Sequence, residues 1–100
     1  MPLSPLAVTA YITAKHTMVD EVEKCLRALV PLTRSEPGCL SYELYRDHEQ
    51  ADRFFFFEKW RSRQDLDKHL AKPYIKAFMD SAPPLLAEPI AVTMWSPVEA

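Results

Sequence analysis

Hydrophobic and polar positions alternate most tellingly in the segment Arg53–Trp60, which contains four consecutive phenylalanines. Successive side chains of a strand point to opposite faces. One face of this strand therefore carries Phe54, Phe56, Glu58 and Trp60. The other face carries Phe55, Phe57 and Lys59. Helical burial is the competing interpretation, but the aromatic content and the turn residues before the segment favour a strand. Both faces need cover: the chain's own helices can cover one, and a second copy is the simplest cover for the other.

Three more segments have strand patterns: residues 6–14, Cys39–Arg46 and residues 90–95. In the first, Leu6, Val8, Ala10 and Ile12 share one face, and Tyr11 lies on the other. In the second, Leu40, Tyr42 and Leu44 share one face. The polar residues 47–52 predict a hairpin loop, so the second strand should pair antiparallel with the phenylalanine-rich strand.

The segments between these strands have helical spacing. A first helix begins at Thr17 or Asp20, and its apolar stripe is Val19, Val22, Leu26, Leu29 and Val30. Pro31 should kink this helix without ending it. The end is predicted at Glu36-Pro37-Gly38, where Gly38 can take the left-handed turn conformation.

Ser62 and Asp65 form the pattern of a capping box and predict the start of another helix. Pro73 interrupts it and opens a second helical piece, which ends at Pro83-Pro84. The resulting order is strand, helix, strand, strand, helix, strand. This is the βαββαβ order of a ferredoxin-like α+β fold, predicted as one domain over residues 1–100 with its core at about 6–96.

Composition narrows the function classes. The chain is 48% hydrophobic and 26% charged with a net charge of −2, so neither nucleic acid nor a membrane surface is an expected partner. Cys25 and Cys39 make no disulfide framework, and their spacing to the histidines matches no zinc pattern. We expect no metal and a cytoplasmic location with reduced thiols.

Taken together, several short motifs resemble the antibiotic biosynthesis monooxygenase family. They are Glu36-Pro37-Gly38-Cys39-Leu40-x-Tyr42, Arg53-Phe54 leading to Glu58-Lys59-Trp60, and His69-Leu70-x-x-Pro73. The similarity runs from Ala7 to Trp95 and is nearest to the small quinol monooxygenases and to an autoinducer-2-phosphate isomerase with the same domain. It implies a dimeric α/β barrel in which two sheets meet face to face. It also implies oxidation of phenols or quinols by O₂ without cofactor, because a deprotonated, electron-rich substrate can itself pass an electron to O₂.

The chain departs from its relatives at Lys72-Pro73-Tyr74, where many have Thr-Pro-His. If that second histidine is a catalytic base in relatives, then either the base or the substrate differs here, since a tyrosine has a much higher reference pKa. The haem-degrading branch of the fold uses an asparagine, and this chain contains none. Haem degradation is therefore rejected.

His69, Glu58 and Tyr74 are the candidate catalytic residues. An imidazole can move a proton near neutral pH, although His69 can equally be a structural histidine that caps its helix. Glu58 can act as a base or orient His69, but an ion pair with Arg46, Arg53 or a partner's arginine is favoured. Candidate substrate-binding residues are Trp60, Phe56, Tyr11, Tyr42, Lys72 and Met79, with core packing as the alternative for most of them.

Three functions follow from this sequence. The first is a cofactor-independent monooxygenase that acts on a small phenolic, quinol or polyketide-like substrate with O₂. The second is an isomerase of a small carbonyl or sugar-phosphate compound, in which Lys72 meets the phosphate. The third is a homodimer that binds a small ligand without turnover.

Overall fold

The computed structural model describes residues 4–99, and within them the chain forms four strands and three α-helices. The strands are β1 (Leu6–Thr13), β2 (Cys39–Arg46), β3 (Arg53–Trp60) and β4 (Ala91–Trp95). The helices are α1 (Val19–Arg34), α2 (Arg63–Leu70) and α3 (Pro73–Ser81), and a short 3-10 turn spans Pro83–Leu85. Residues 1–3 and residue 100 of the predicted domain lie outside this description. The order confirms the predicted ferredoxin-like α+β fold, with the second helical region divided in two before Pro73.

The sheet has the order β2-β3-β1-β4, and every pairing in it is antiparallel. β3 lies in the interior of the sheet, and its alternation is the predicted one: even-numbered positions are buried, while Phe55 and Phe57 are only partly covered. β1 pairs with β3 so that Ala10 faces Phe56. We call the face that carries Phe56 the inner face and the face that carries Phe55 the outer face. The helices pack on the inner face, which therefore holds the core.

The outer face exposes aromatic side chains. Tyr45 and Trp95 are each 54% exposed, and Tyr11 is 43% exposed. Tyr11 also packs against Phe55, with ring centroids 4.9 Å apart. A monomer therefore leaves an apolar surface on this side of the sheet that its own helices do not cover.

A β-bulge near the start of β2 decides which of its residues face inward. Cys39 lies opposite Trp60 and Ser41 lies opposite Lys59, so the register shifts between them. Leu40 is the extra residue and is 57% exposed, so the prediction that it shares a face with Tyr42 and Leu44 was wrong. The shift sets Tyr42 opposite Glu58 on the inner face.

Helix α1 begins after Met18, which makes no side-chain cap, and continues past Pro31 to Arg34. The helix thus tolerates the proline, as predicted. Pro31 is exposed, and its missing N–H removes one backbone hydrogen bond of the helix. The buried stripe of α1 is Val22, Leu26, Leu29 and Thr33.

Gly38 is required for space and not for an unusual backbone angle. It does not have a positive φ, so the predicted left-handed turn was wrong. A Cβ built at Gly38 would lie 2.3 Å from Cβ of Asp65. Asp65 is the third residue of the confirmed cap: its N–H donates to Ser62 Oγ at 3.2 Å, and Ser62 Oγ donates to its carboxylate at 2.8 Å. The start of α2 thus docks directly on the turn between α1 and β2.

None of the helices within residues 4–99 is long and apolar enough to cross a bilayer.

Candidate active site

A cavity of about 110 Å³ lies between the inner face of the sheet and the helices α2 and α3. Its walls are mostly apolar, as is usual for a small-molecule site. Residues from all three helices and all four strands contribute to the lining, among them Val8, Leu29, Phe56, Leu66, Ile75 and Phe78. Three polar side chains also reach it: Tyr42, Glu58 and His69.

His69 is fixed by a buried carboxylate that the sequence did not single out. Nδ1 of His69 lies 2.7 Å from Oε2 of Glu36, and both side chains are almost completely buried. Because the carboxylate accepts, the Nδ1 nitrogen donates its hydrogen. Nε2 has no hydrogen-bond partner among residues 4–99, so it is the nitrogen available to a molecule in the cavity. The pair has the arrangement of a general base oriented by an acid.

The docking of α2 on Gly38 explains why these two residues meet. Glu36 follows the end of α1, where its N–H donates to Thr33 O at 3.0 Å. His69 lies in the last turn of α2, seven residues after its Ser62 cap. Because α2 approaches the α1–β2 turn closely, the imidazole reaches the carboxylate across a gap of 33 residues in sequence.

Tyr74 also binds Glu36. Its hydroxyl donates to the same carboxylate oxygen that accepts from His69. Burial, together with this bond, raises the pKa of Tyr74 to about 12, so the hydroxyl stays protonated and remains a donor. The ring centroid lies 6.5 Å from that of His69, and Tyr74 does not line the cavity. The structure thus places Tyr74 behind the Glu36–His69 pair, where it positions the carboxylate and cannot itself take a proton near neutral pH.

Glu58 faces the cavity from β3 and is 6% exposed. One carboxylate oxygen accepts from Trp60 Nε1 at 2.9 Å. Burial is the main reason that the pKa of Glu58 is raised to about 7, and the nearby charge of Glu36 adds to it. The favoured ion pair to Arg46 or Arg53 was wrong, because those arginines pair with other carboxylates in loops and on α1.

Trp60 does not form a cavity wall. It is fully buried and lies against His69, with ring centroids 4.6 Å apart. It therefore supports both polar residues of the site, since its indole N–H holds Glu58. Phe56 and Tyr42 do line the cavity, as expected, and stack on each other at 4.6 Å. Burial raises the pKa of the Tyr42 hydroxyl far above its ordinary range.

Of the remaining candidates, Met79 borders the cavity and is half exposed, so it lies where the cavity meets the surface. Tyr11 is on the outer face of the sheet, because it lies directly between Ala10 and Ile12 in the strand and both of these face inward. Lys72 caps the start of α3 and does not line the cavity. The backbone N–H of Lys72 donates to His69 O at 3.0 Å, but neither Lys72 nor Tyr11 joins His69 in lining the cavity.

The sequence profile of the antibiotic biosynthesis monooxygenase family matches residues 5–81. This chain belongs to that family. An uncharacterised Synechocystis protein, sll1783, is 36% identical over 95 residues; the match covers 95% of this chain, which spans 65% of that protein's length. Rv0793 of Mycobacterium tuberculosis, whose name marks it provisionally as a monooxygenase, is 33% identical over 96 residues, which are 96% of this chain and 94% of that one.

Two solved structures of similar length have the same fold as this chain. PA3566 from Pseudomonas aeruginosa superposes with a TM-score of 0.92 at 29% identity and covers 99% of both chains. Rv0793 superposes with a TM-score of 0.92 at 33% identity, over 97% of this chain and 98% of that one. Among residues 4–99 of this family member, no group of three or more His, Cys, Asp or Glu side chains is arranged to hold a metal ion.

Proposed function

We propose that this protein is a cofactor-independent monooxygenase that oxidises a small phenolic, quinol or polyketide-like substrate with O₂. The observation that carries the proposal is the buried Glu36–His69 pair at the wall of an apolar cavity. Family membership supports the reaction class. The absence of a metal, flavin or haem from the reaction is part of the proposal and rests on the family resemblance.

In this mechanism Nε2 of His69 accepts the hydroxyl proton of the substrate. Glu36 holds the imidazole in the required tautomer and stabilises the imidazolium that forms. Tyr74 donates to Glu36 and keeps that carboxylate in place. Since Tyr74 is a donor at neutral pH, it does not replace the second histidine of relatives as a base.

The deprotonated substrate then passes one electron to O₂, and the resulting radical and superoxide combine to form a carbon–oxygen bond. The peroxide takes a proton and loses water. One oxygen atom stays on the ring as a carbonyl, the other leaves as water, and the phenol is oxidised to a quinone. The apolar walls from Phe56, Leu66 and Ile75 exclude solvent that would otherwise stabilise the substrate anion and quench the radical pair.

The test is O₂ uptake with a panel of quinols and phenols in metal-free buffer containing a chelator. We expect uptake by the wild type and a loss of about a hundredfold or more in His69→Ala, in the range of a lost general base. His16→Ala is the matched control, because His16 is exposed outside the site. No uptake by the wild type, or equal uptake by His69→Ala, would overturn the proposal.

A second candidate is enolisation of a small carbonyl compound. It is favoured by the presence of two groups that can exchange protons, His69 and Glu58, on one cavity. The position of Lys72 away from the cavity removes the reason to expect a sugar phosphate. Turnover that is unchanged when O₂ is removed would support this candidate against the oxygenase. Stoichiometric ligand binding without turnover would leave a non-catalytic binding protein.

We also propose that the protein works as a cytoplasmic homodimer whose outer sheet faces pack together. The exposed aromatic residues Tyr45 and Trp95, with the half-covered Phe55 and Phe57, support a second copy on this face. Aromatic residues of this kind are enriched in protein interfaces. Both cysteines are free, which suits a reducing compartment.

A further inference from the structure

Glu58 shares its cavity with two other titratable side chains, His69 and Tyr42. No lysine or arginine within residues 4–99 lines the cavity. Glu58 also takes part in no ion pair in that part of the chain, and its partner is the neutral indole N–H of Trp60. The second carboxylate oxygen has no protein partner among the same residues. A buried carboxylate without an ion-pair partner disfavours any further negative charge near it.

The size of the cavity makes this repulsion unavoidable for a small ligand. A sphere of about 110 Å³ is about 6 Å across, so any charged group inside lies close to the carboxylate. Two like charges separated by about 6 Å at an effective dielectric constant near 20 repel by an energy that corresponds to about a hundredfold in binding. Because Glu58 can take up a proton instead and its pKa is about 7, the penalty on an anionic ligand at pH 8 is about tenfold. A neutral hydroxyl avoids this cost, because it can donate a hydrogen bond to the free carboxylate oxygen.

We propose that Glu58 determines specificity: it selects uncharged, hydroxyl-bearing ring substrates and rejects analogues that carry a carboxylate, sulfonate or phosphate. This inference rests on the proposed function for the identity of the cavity as the substrate site. It gives Glu58 a role in choosing the substrate, whereas His69 acts on the substrate once it is bound. The hydroxyl proton passes to Nε2 of His69, so the imidazolium offsets the substrate anion that forms, whereas a permanent carboxylate, sulfonate or phosphate charge gains no such partner. The repulsion is strongest above neutral pH, where the carboxyl group with its pKa of about 7 is largely ionised.

The experiment compares two ligands that are close in shape and differ in charge, 4-hydroxybenzamide and 4-hydroxybenzoate. Binding of each is measured by isothermal titration calorimetry at pH 8 to the wild type and to Glu58→Gln. We expect the wild type to bind the amide about tenfold more tightly than the acid, which is the penalty that protonation of Glu58 allows at this pH. In Glu58→Gln this ratio should fall below threefold. Glu43→Gln is the matched control, since Glu43 is exposed on the neighbouring strand and pairs with Arg34.

Glu58→Met is a second uncharged variant, and it keeps the test possible if Glu58→Gln does not fold. It must shift the ratio of amide to acid affinity in the same direction. The inference is overturned if the wild type binds the two ligands within threefold of each other, or binds neither. It is also overturned if both uncharged variants keep the wild-type ratio. Because binding is measured without O₂ turnover, a charge selectivity that persists when O₂ uptake is absent would sink the oxygenase proposal alone.

Discussion

Replacing Glu58 by glutamine should change how the stability of the protein depends on pH. The ordinary pKa of this carboxyl group is 4.5, and burial raises it to about 7 in the folded protein. Between these values the folded chain holds a proton that the unfolded chain has released. The free energy of unfolding therefore falls as pH rises through this window. At about 1.4 kcal/mol per pH unit, the full interval corresponds to about 3 kcal/mol.

Glutamine is nearly the same size as glutamate and does not ionise, so Glu58→Gln should not lose this stability as the pH rises. We expect the variant and the wild type to have similar stability near pH 4.5, and the variant to be more stable by about 3 kcal/mol at pH 8. Urea unfolding at several pH values and one protein concentration measures the difference. Glu36 and His69 are present in both proteins, so the difference between them isolates Glu58.

Glu43→Gln again provides the control, since an exposed glutamate should give a small gap that does not grow between pH 5 and 8. A stability gap between Glu58→Gln and wild type that stays constant with pH would refute the reasoning. So would a wild type that is the more stable of the two at pH 8. Either result would mean that the carboxylate is better stabilised than its contacts indicate, and it would also remove the basis for charge selection.

Three further predictions test the rest of the site and the fold. Glu36→Gln should lower kcat by about a hundredfold, because the imidazole loses its orienting charge. Activity within threefold of wild type would contradict this. Gly38→Ala should lower the free energy of unfolding by about 1–3 kcal/mol in denaturant titrations, because its Cβ meets Asp65. If Gly38→Ala lowers the stability by as much in an Asp65→Gly background, the contact with Asp65 is not the reason. Light scattering should show that Phe57→Lys is a monomer, because Phe57 lies on the outer face. The control Leu32→Lys, on the exposed side of α1, should stay dimeric. A monomeric wild type would refute the outer-face dimer.

The fold was readable from the sequence because it depends on local periodicity. The alternation around Phe54–Phe57 requires a strand with two apolar faces, and Ser62 with Asp65 marks a helix start. His69 was found as the candidate base because an imidazole beside apolar neighbours is itself a signal. The inward positions of Phe56 and Glu58 followed from counting residues along one strand.

The partner of His69 was decided only by tertiary structure. The local sequence identifies Glu36 only as part of the segment that ends a helix. Nothing in Glu36-Pro37-Gly38 indicates that its carboxylate is buried against a residue 33 positions away. The same holds for Gly38, whose need for space comes from Asp65 on another element. Tyr74 changed from a possible base to a donor because its hydroxyl meets that carboxylate. The local sequence pattern determines which face of a strand or helix a side chain occupies. The packing of α2 on the α1–β2 turn determines which charged side chains come into contact, and those contacts in a buried site determine its chemistry.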